Sequence, residues 1–74
     1  MSPGTITNRI RALRFENSEM SQTELGRRIG LTRQTLAALE AGKYSPSLEA
    51  AFRIAEVFKV DLACVFQWHS GDTK

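Results

Sequence analysis

What the chain has little of narrows its function before anything else. It holds one cysteine, Cys64, so no disulfide can close within it, which suits a reducing, cytoplasmic setting. Its one histidine, His69, excludes a histidine-rich metal site, and Cys64 with His69 lack further ligand partners. Cys64 is followed by apolar Val65 and Phe66 with no histidine at helical spacing, so it is expected to be a buried structural thiol rather than a nucleophile. No apolar run approaches the ~18 residues that cross a membrane, and neither a signal-peptide pattern nor a phosphate-cradling glycine loop is present. An enzyme reading therefore has little support, and no cofactor, metal, membrane or small-molecule ligand is expected.

What remains is a single domain over residues 1–74, 42% hydrophobic and 24% charged, an ordinary globular balance with a core too small for deep pockets. The net charge of +2 is unevenly placed. Residues 1–44 carry seven Arg and Lys against four Glu, whereas residues 45–74 carry three against four acids. The basic excess thus sits in the first half.

That half contains the stretch Ser21 to Gly42, SQTELGRRIGLTRQTLAALEAG. Ser21 is an N-cap residue, and Glu24 three positions on completes a capping box, with Met20 before it as a hydrophobic-staple partner for Leu25. Leu25 and Ile29 share a helical face, and Gly30 stands where a helix C-terminus takes the left-handed conformation. Thr32 caps a second helix with a stripe of Leu36 and Leu39, and Gly42 ends it. Two short helices joined this tightly cannot pack antiparallel; they form a helix-turn-helix over residues 21–42. Gly26, unfavourable in a helix by about 1 kcal/mol, fits the same geometry, because a larger side chain there would hold the two helices apart.

With Gln22 as first position, Leu25, Gly26, Ile29, Gly30, Leu31, Leu36 and Leu39 match the DNA-binding helix-turn-helix pattern. The stretch from Ile10 to Phe66 resembles the XRE family, the DNA-binding domains of lambdoid phage repressors and Cro, and most of all its very short single-domain members that end in a phrase such as Phe66-Gln67-Trp68. The resemblance implies an all-α, five-helix lambda-repressor-like domain, with the possibility of a short two-stranded β-ribbon at the terminus. It also implies an ion pair between Arg14 and Glu40, locking the first helix to the end of the third; Arg meets a carboxylate bidentately, so the chemistry agrees.

The remaining elements follow from local pattern. Residues 1–6 are expected as a flexible arm, with Thr5 or Thr7 capping a first helix from about Asn8 to Asn17 that buries Ile10 and Leu13. Ser47 after Pro46 caps a fourth helix running to about Phe58, with Leu48, Ala51, Ile54, Ala55 and Phe58 inward. Asp61 caps a short fifth helix, and residues 66–74 form a terminal strand and tail by the alternation of Phe66-Gln67-Trp68-His69.

A helix-turn-helix presents the N-terminal residues of its second helix to base edges. Thr32, Arg33, Gln34, Thr35 and Ala38 are the base-reading candidates. Arg33 suits guanine O6 and N7, Gln34 adenine N6 and N7, and Ala38 offers only a methyl where many relatives carry a polar residue. Gln22, Arg28, Lys43 and Tyr44 are the phosphate candidates. Leu62, Val65, Phe66 and Trp68 are the dimer-interface candidates. For Trp68, packing on its own core and packing across an interface are nearly even by physics, and the resemblance to short dimeric regulators favours the interface. The resulting expectation is a sequence-specific regulator that binds double-stranded DNA as a homodimer on a pseudo-palindromic operator. An antitoxin that binds both a toxin and DNA is the alternative, and a controller protein of a restriction–modification system is a further variant.

Overall fold

The computed structural model describes residues 4–43 and 45–71. In chain order the elements are β1 (Thr5–Asn8), α1 (Ile10–Glu16), α2 (Gln22–Ile29), α3 (Arg33–Glu40), α4 (Leu48–Phe58), α5 (Leu62–Val65) and β2 (Phe66–His69). The helices surround one apolar core. Ile10, Leu13, Leu25, Ile29, Leu36, Leu39, Ile54, Ala55, Phe58 and Val65 meet there, with Met20, Leu31, Val57, Val60, Leu62 and Phe66 packed around them. Every helix contributes, which is how so short a chain closes a core at all.

Capping chemistry sets the helix starts. The hydroxyls of Ser21, Thr32 and Ser47 accept from the backbone N–H three residues on, at 3.0, 3.1 and 3.1 Å. Asp61 precedes α5 without a side-chain cap bond. α1 is capped differently from expectation. Neither Thr5 nor Thr7 serves; both lie in β1, and the Asn8 carbonyl oxygen Oδ1 accepts from Ile10 N at 3.1 Å. Two helix ends need left-handed backbone and use glycine, Gly30 at φ 81° and Gly42 at φ 75°. The end of α4 uses Lys59 at φ 58° in the same role.

The two strands pair antiparallel, with Thr5 opposite His69, Ile6 opposite Trp68, Thr7 opposite Gln67 and Asn8 opposite Phe66. The β-ribbon is therefore made within one chain, from its two ends. Thr5 and Ile6, expected in a flexible arm, stand in this ribbon; residues 1–3 lie outside the described part. The ribbon is two-faced. Thr7 Oγ1 lies 3.3 Å from Gln67 Oε1 and 3.0 Å from His69 Nε2 on one side, while Ile6 and Trp68 share the other.

Two burial expectations are corrected. Leu48 is 69% exposed, and Ala50 takes its place inside, because α4 is rotated to bring Ile54, Ala55 and Phe58 onto the core. Cys64 is exposed: α5 is a single turn, and that turn spends its inward direction on Val65. Val65 itself is fully buried in the core of its own chain.

Gly26 has a specific neighbour. A Cβ built there would lie 2.6 Å from Leu31 O and 3.5 Å from Thr32 C. The obstacle is the backbone of the turn rather than the side chains of α3, so it cannot step aside. We expect Gly26→Ala to destabilise the fold by about 1–3 kcal/mol despite alanine's higher helix propensity. Urea unfolding of the two proteins checks this, and an unchanged midpoint would mean the turn yields.

Candidate nucleic-acid interface

α2, the turn at residues 30–32 and α3 are held as a unit by the bonds at their junction. Leu31 N donates to Gly26 O at 2.8 Å, and the turn then leads straight into the Thr32 cap. At the far end of α3, Lys43 N donates to Ala38 O at 2.9 Å and Gly42 N to Leu39 O at 3.1 Å. Both ends of α3 are thus closed by the backbone and by local side chains. Leu36 and Leu39 anchor its inner face, and the outer face turns to solvent.

On that outer face Arg33 and Gln34 are exposed, and among the described residues no side chain pairs with either. Thr32 and Thr35 are partly committed to the cap: Thr32 Oγ1 accepts from Thr35 N and donates to Thr35 Oγ1 at 2.9 Å. The hydroxyl hydrogen of Thr35 stays available. Ala37 and Ala38 are half-buried one turn on. Lys43 is exposed just past the helix, and Tyr44 lies outside the described residues.

Two phosphate candidates are less free than their sequence positions suggest. Gln22 Nε2 donates to Glu40 Oε1 at 3.2 Å. Arg28 Nε donates to Glu24 Oε2 at 2.7 Å, and Arg27 takes both Glu24 oxygens at 2.9 and 2.7 Å. Glu24 therefore spends its carboxylate on these two arginines one turn away. The hydrogen bonds from Arg27 and then Arg28 hold the Glu24 carboxyl below its ordinary pKa, so the pairing is in place at neutral pH and is lost as pH falls through that lowered value.

Arg14 and Glu40 meet across the interior. Arg14 Nε donates to Glu40 Oε2 at 2.7 Å and Nη2 to Oε1 at 3.0 Å, while Nη1 donates to Met20 O at 2.8 Å. Their side chains are 10% and 9% exposed. One guanidinium thus ties α1, the loop before α2 and the end of α3 together.

The helix-turn-helix family profile matches residues 10–63, from the start of α1 into the first half of α5. The chain belongs to this family. Its similar proteins include an uncharacterized HTH-type transcriptional regulator of Archaeoglobus fulgidus, 47% identical over 47 residues, 64% of this chain and 66% of that protein. The HTH-type transcriptional regulator YgzD of Bacillus subtilis, also uncharacterized, is 42% identical over 61 residues, covering 82% of this chain and 91% of YgzD. The fold is shared with the crystal structure of a candidate DNA-binding protein from Bacteroides fragilis, at a TM-score of 0.75 and 24% identity over 85% of this chain and all of that one.

In this helix-turn-helix protein two features escape a reading of the sequence. Asn8, expected only as the first residue of the first helix, instead ends β1 and donates through Nδ2 to Leu39 O and Glu40 O at 3.3 Å each. And α1 and α3 enclose an open groove of about 620 Å³ whose walls include Arg11, Phe15, Gln22, Ala37 and Ala41. The Arg11 guanidinium stands 5.5 Å from the Phe15 ring centroid there, a contact that the four-residue spacing within α1 foreshadows.

The Arg14–Glu40 geometry carries a prediction. Removing either partner strands a buried charge, so Arg14→Met and Glu40→Leu should each cost about 3–5 kcal/mol, and the double variant much less than their sum. Denaturant melts of the four proteins measure the coupling. A coupling energy near zero would show that solvent screens the pair.

Proposed function

We propose that the chain is a sequence-specific double-stranded DNA-binding transcription regulator, located in the cytoplasm, that acts as a homodimer on a pseudo-palindromic operator. The observation that carries the reading is the exposed Arg33–Gln34 surface at the start of α3, which pairs with no other described residue, in a chain of the helix-turn-helix family. Names of similar proteins as HTH-type transcriptional regulators support the same class.

The roles divide by chemistry. Arg33 and Gln34 read base edges, with Thr35 and Ala38 contributing a hydroxyl and a methyl. Lys43 and Gln22 position the backbone, the latter through the amide hydrogen that Glu40 does not use. Arg28 assists only where a phosphate outcompetes Glu24 for it. With Ala38 in place of a polar residue, part of the selectivity falls to DNA shape.

Self-association is assigned to the surface around α5 and β2, which adjoins the last residues of α3 rather than its exposed start. Val65 leaves the set first inferred, since it is wholly used by its own core. Leu62, Phe66 and Trp68 remain, and the fold adds Ile6 and Leu48. Ile6, Leu48, Ala51, Leu62 and Phe66 line an apolar groove of about 260 Å³ beside Trp68, whose ring lies over Gly4 and is 65% exposed. An isologous contact would bury this surface on both copies.

A duplex selected from random DNA tests the recognition. Arg33→Ala should lose about 1–3 kcal/mol and relax preference at one base pair per half-site, while Lys43→Ala should weaken cognate and random duplexes alike. Equal losses on both duplexes for both variants would refute the division of roles. Sedimentation equilibrium without DNA tests the assembly: the wild type should be dimeric at micromolar concentration and Trp68→Ala shifted to monomer. A monomeric wild type would defeat the proposed interface.

A further inference from the structure

β1 touches both working ends of the molecule through one residue. Asn8 pairs with Phe66 in the ribbon, and the next residue continues the attachment, Arg9 N donating to Val65 O at 2.9 Å. The Asn8 side chain faces the other way, toward the end of α3. Its Nδ2 donates to Leu39 O and Glu40 O, both at 3.3 Å, and its Oδ1 accepts from Ile10 N at 3.1 Å. The last carbonyls of a helix have no partner within it, so an amide donor placed there holds the helix by its end rather than by its packing face. Glu40 is consequently gripped twice: its carbonyl by Asn8 and its carboxylate by Arg14 and Gln22.

We propose that Asn8 is a positioning residue that fixes the DNA-reading helix relative to the self-association surface, and so sets the half-site spacing that a dimer accepts. The inference rests on the dimeric reading above. In a dimer joined through α5 and β2, the separation of the two α3 helices depends on how rigidly each α3 is tied to its own ribbon. The hydrophobic contacts of Leu36 and Leu39 fix depth but permit small rotations, because apolar packing is not directional. Two hydrogen bonds from one planar amide are directional and resist that rotation. One inserted base pair moves a half-site by about 3.4 Å and turns it by roughly a tenth of a turn, so a small angular freedom at α3 is enough to blur the discrimination.

The test uses the full chain and a duplex selected by the wild type from random-sequence DNA, together with two derivatives carrying one base pair inserted at, or deleted from, the centre of symmetry. A duplex holding a single half-site completes the set. Asn8→Asp keeps the acceptor for Ile10 N and replaces the donor with an oxygen facing two carbonyls. Asn8→Ser is a smaller change that still offers a hydroxyl near Ile10 N, should the first variant fold poorly. Thr7→Val, on the opposite face of the ribbon, is the control. Wild type and Thr7→Val are expected to prefer the selected spacing by about tenfold or more, and the Asn8 variants by less than about threefold, with affinity for the single half-site unchanged. Asn8 variants that keep the wild-type preference would overturn the proposal while leaving the dimer intact. An equal loss on the single half-site would overturn it too, since Asn8 would then shape α3 itself. A wild type indifferent to spacing would defeat the dimeric reading and the proposal with it.

Discussion

The bidentate meeting of Arg14 and Glu40 is the interaction on which the placement of α3 depends. Two charges at about one-tenth exposure are costly to desolvate, and the cost is offset only because every polar atom involved finds a partner. Met20 O takes a third guanidinium N–H, and Gln22 Nε2 supports the carboxylate. Three segments distant in the chain therefore converge on one pair. A shift of α1 or of the Met20 loop would leave a charge unsatisfied, so the pair penalises alternatives more than it adds stability. Asn8 completes the grip on the same helix end from the ribbon side.

The other end of α3 is fixed by steric closeness. Gly26 lets the Leu31 carbonyl approach to a distance that no Cβ tolerates, and the left-handed Gly30 turns the chain without strain. The turn is short because its backbone packs directly on α2. α3 is accordingly held at its start by a backbone contact, along its length by Leu36 and Leu39, and at its end by two polar clamps. Among the described residues, Arg33 and Gln34 on its solvent face take no part in these contacts.

Charge and apolarity are sorted to different regions. Around α2, Arg27 and Arg28 are drawn onto Glu24, which trims the free positive charge of that face to fewer groups than the composition suggests. Among the described residues no acid pairs with Arg33 or Lys43. Around the ribbon and the start of α4 the surface is apolar instead, with Ile6, Leu48 and Trp68 exposed and outside the core cluster.

Sequence alone determined the helical elements of residues 21–42, their caps and the inward stripe, because these follow from interactions three or four residues apart. Ser21, Thr32 and Ser47 cap where local chemistry says they should, and Leu25, Ile29, Leu36 and Leu39 turn inward. The tertiary structure alone decided what depends on residues far apart in the chain. Thr5 to Asn8 become a strand only because Phe66 to His69 lie beside them, and Asn8 becomes a clamp only because the end of α3 is there. The same holds for exposure at the margins of an element. Leu48 fits an inward stripe by spacing and Cys64 stands beside apolar Val65 and Phe66, yet a helix has one rotation, and Ile54, Ala55, Phe58 and Val65 claimed the core first. Local periodicity fixes which residues share a face; the competition between faces for a small interior fixes which one is buried.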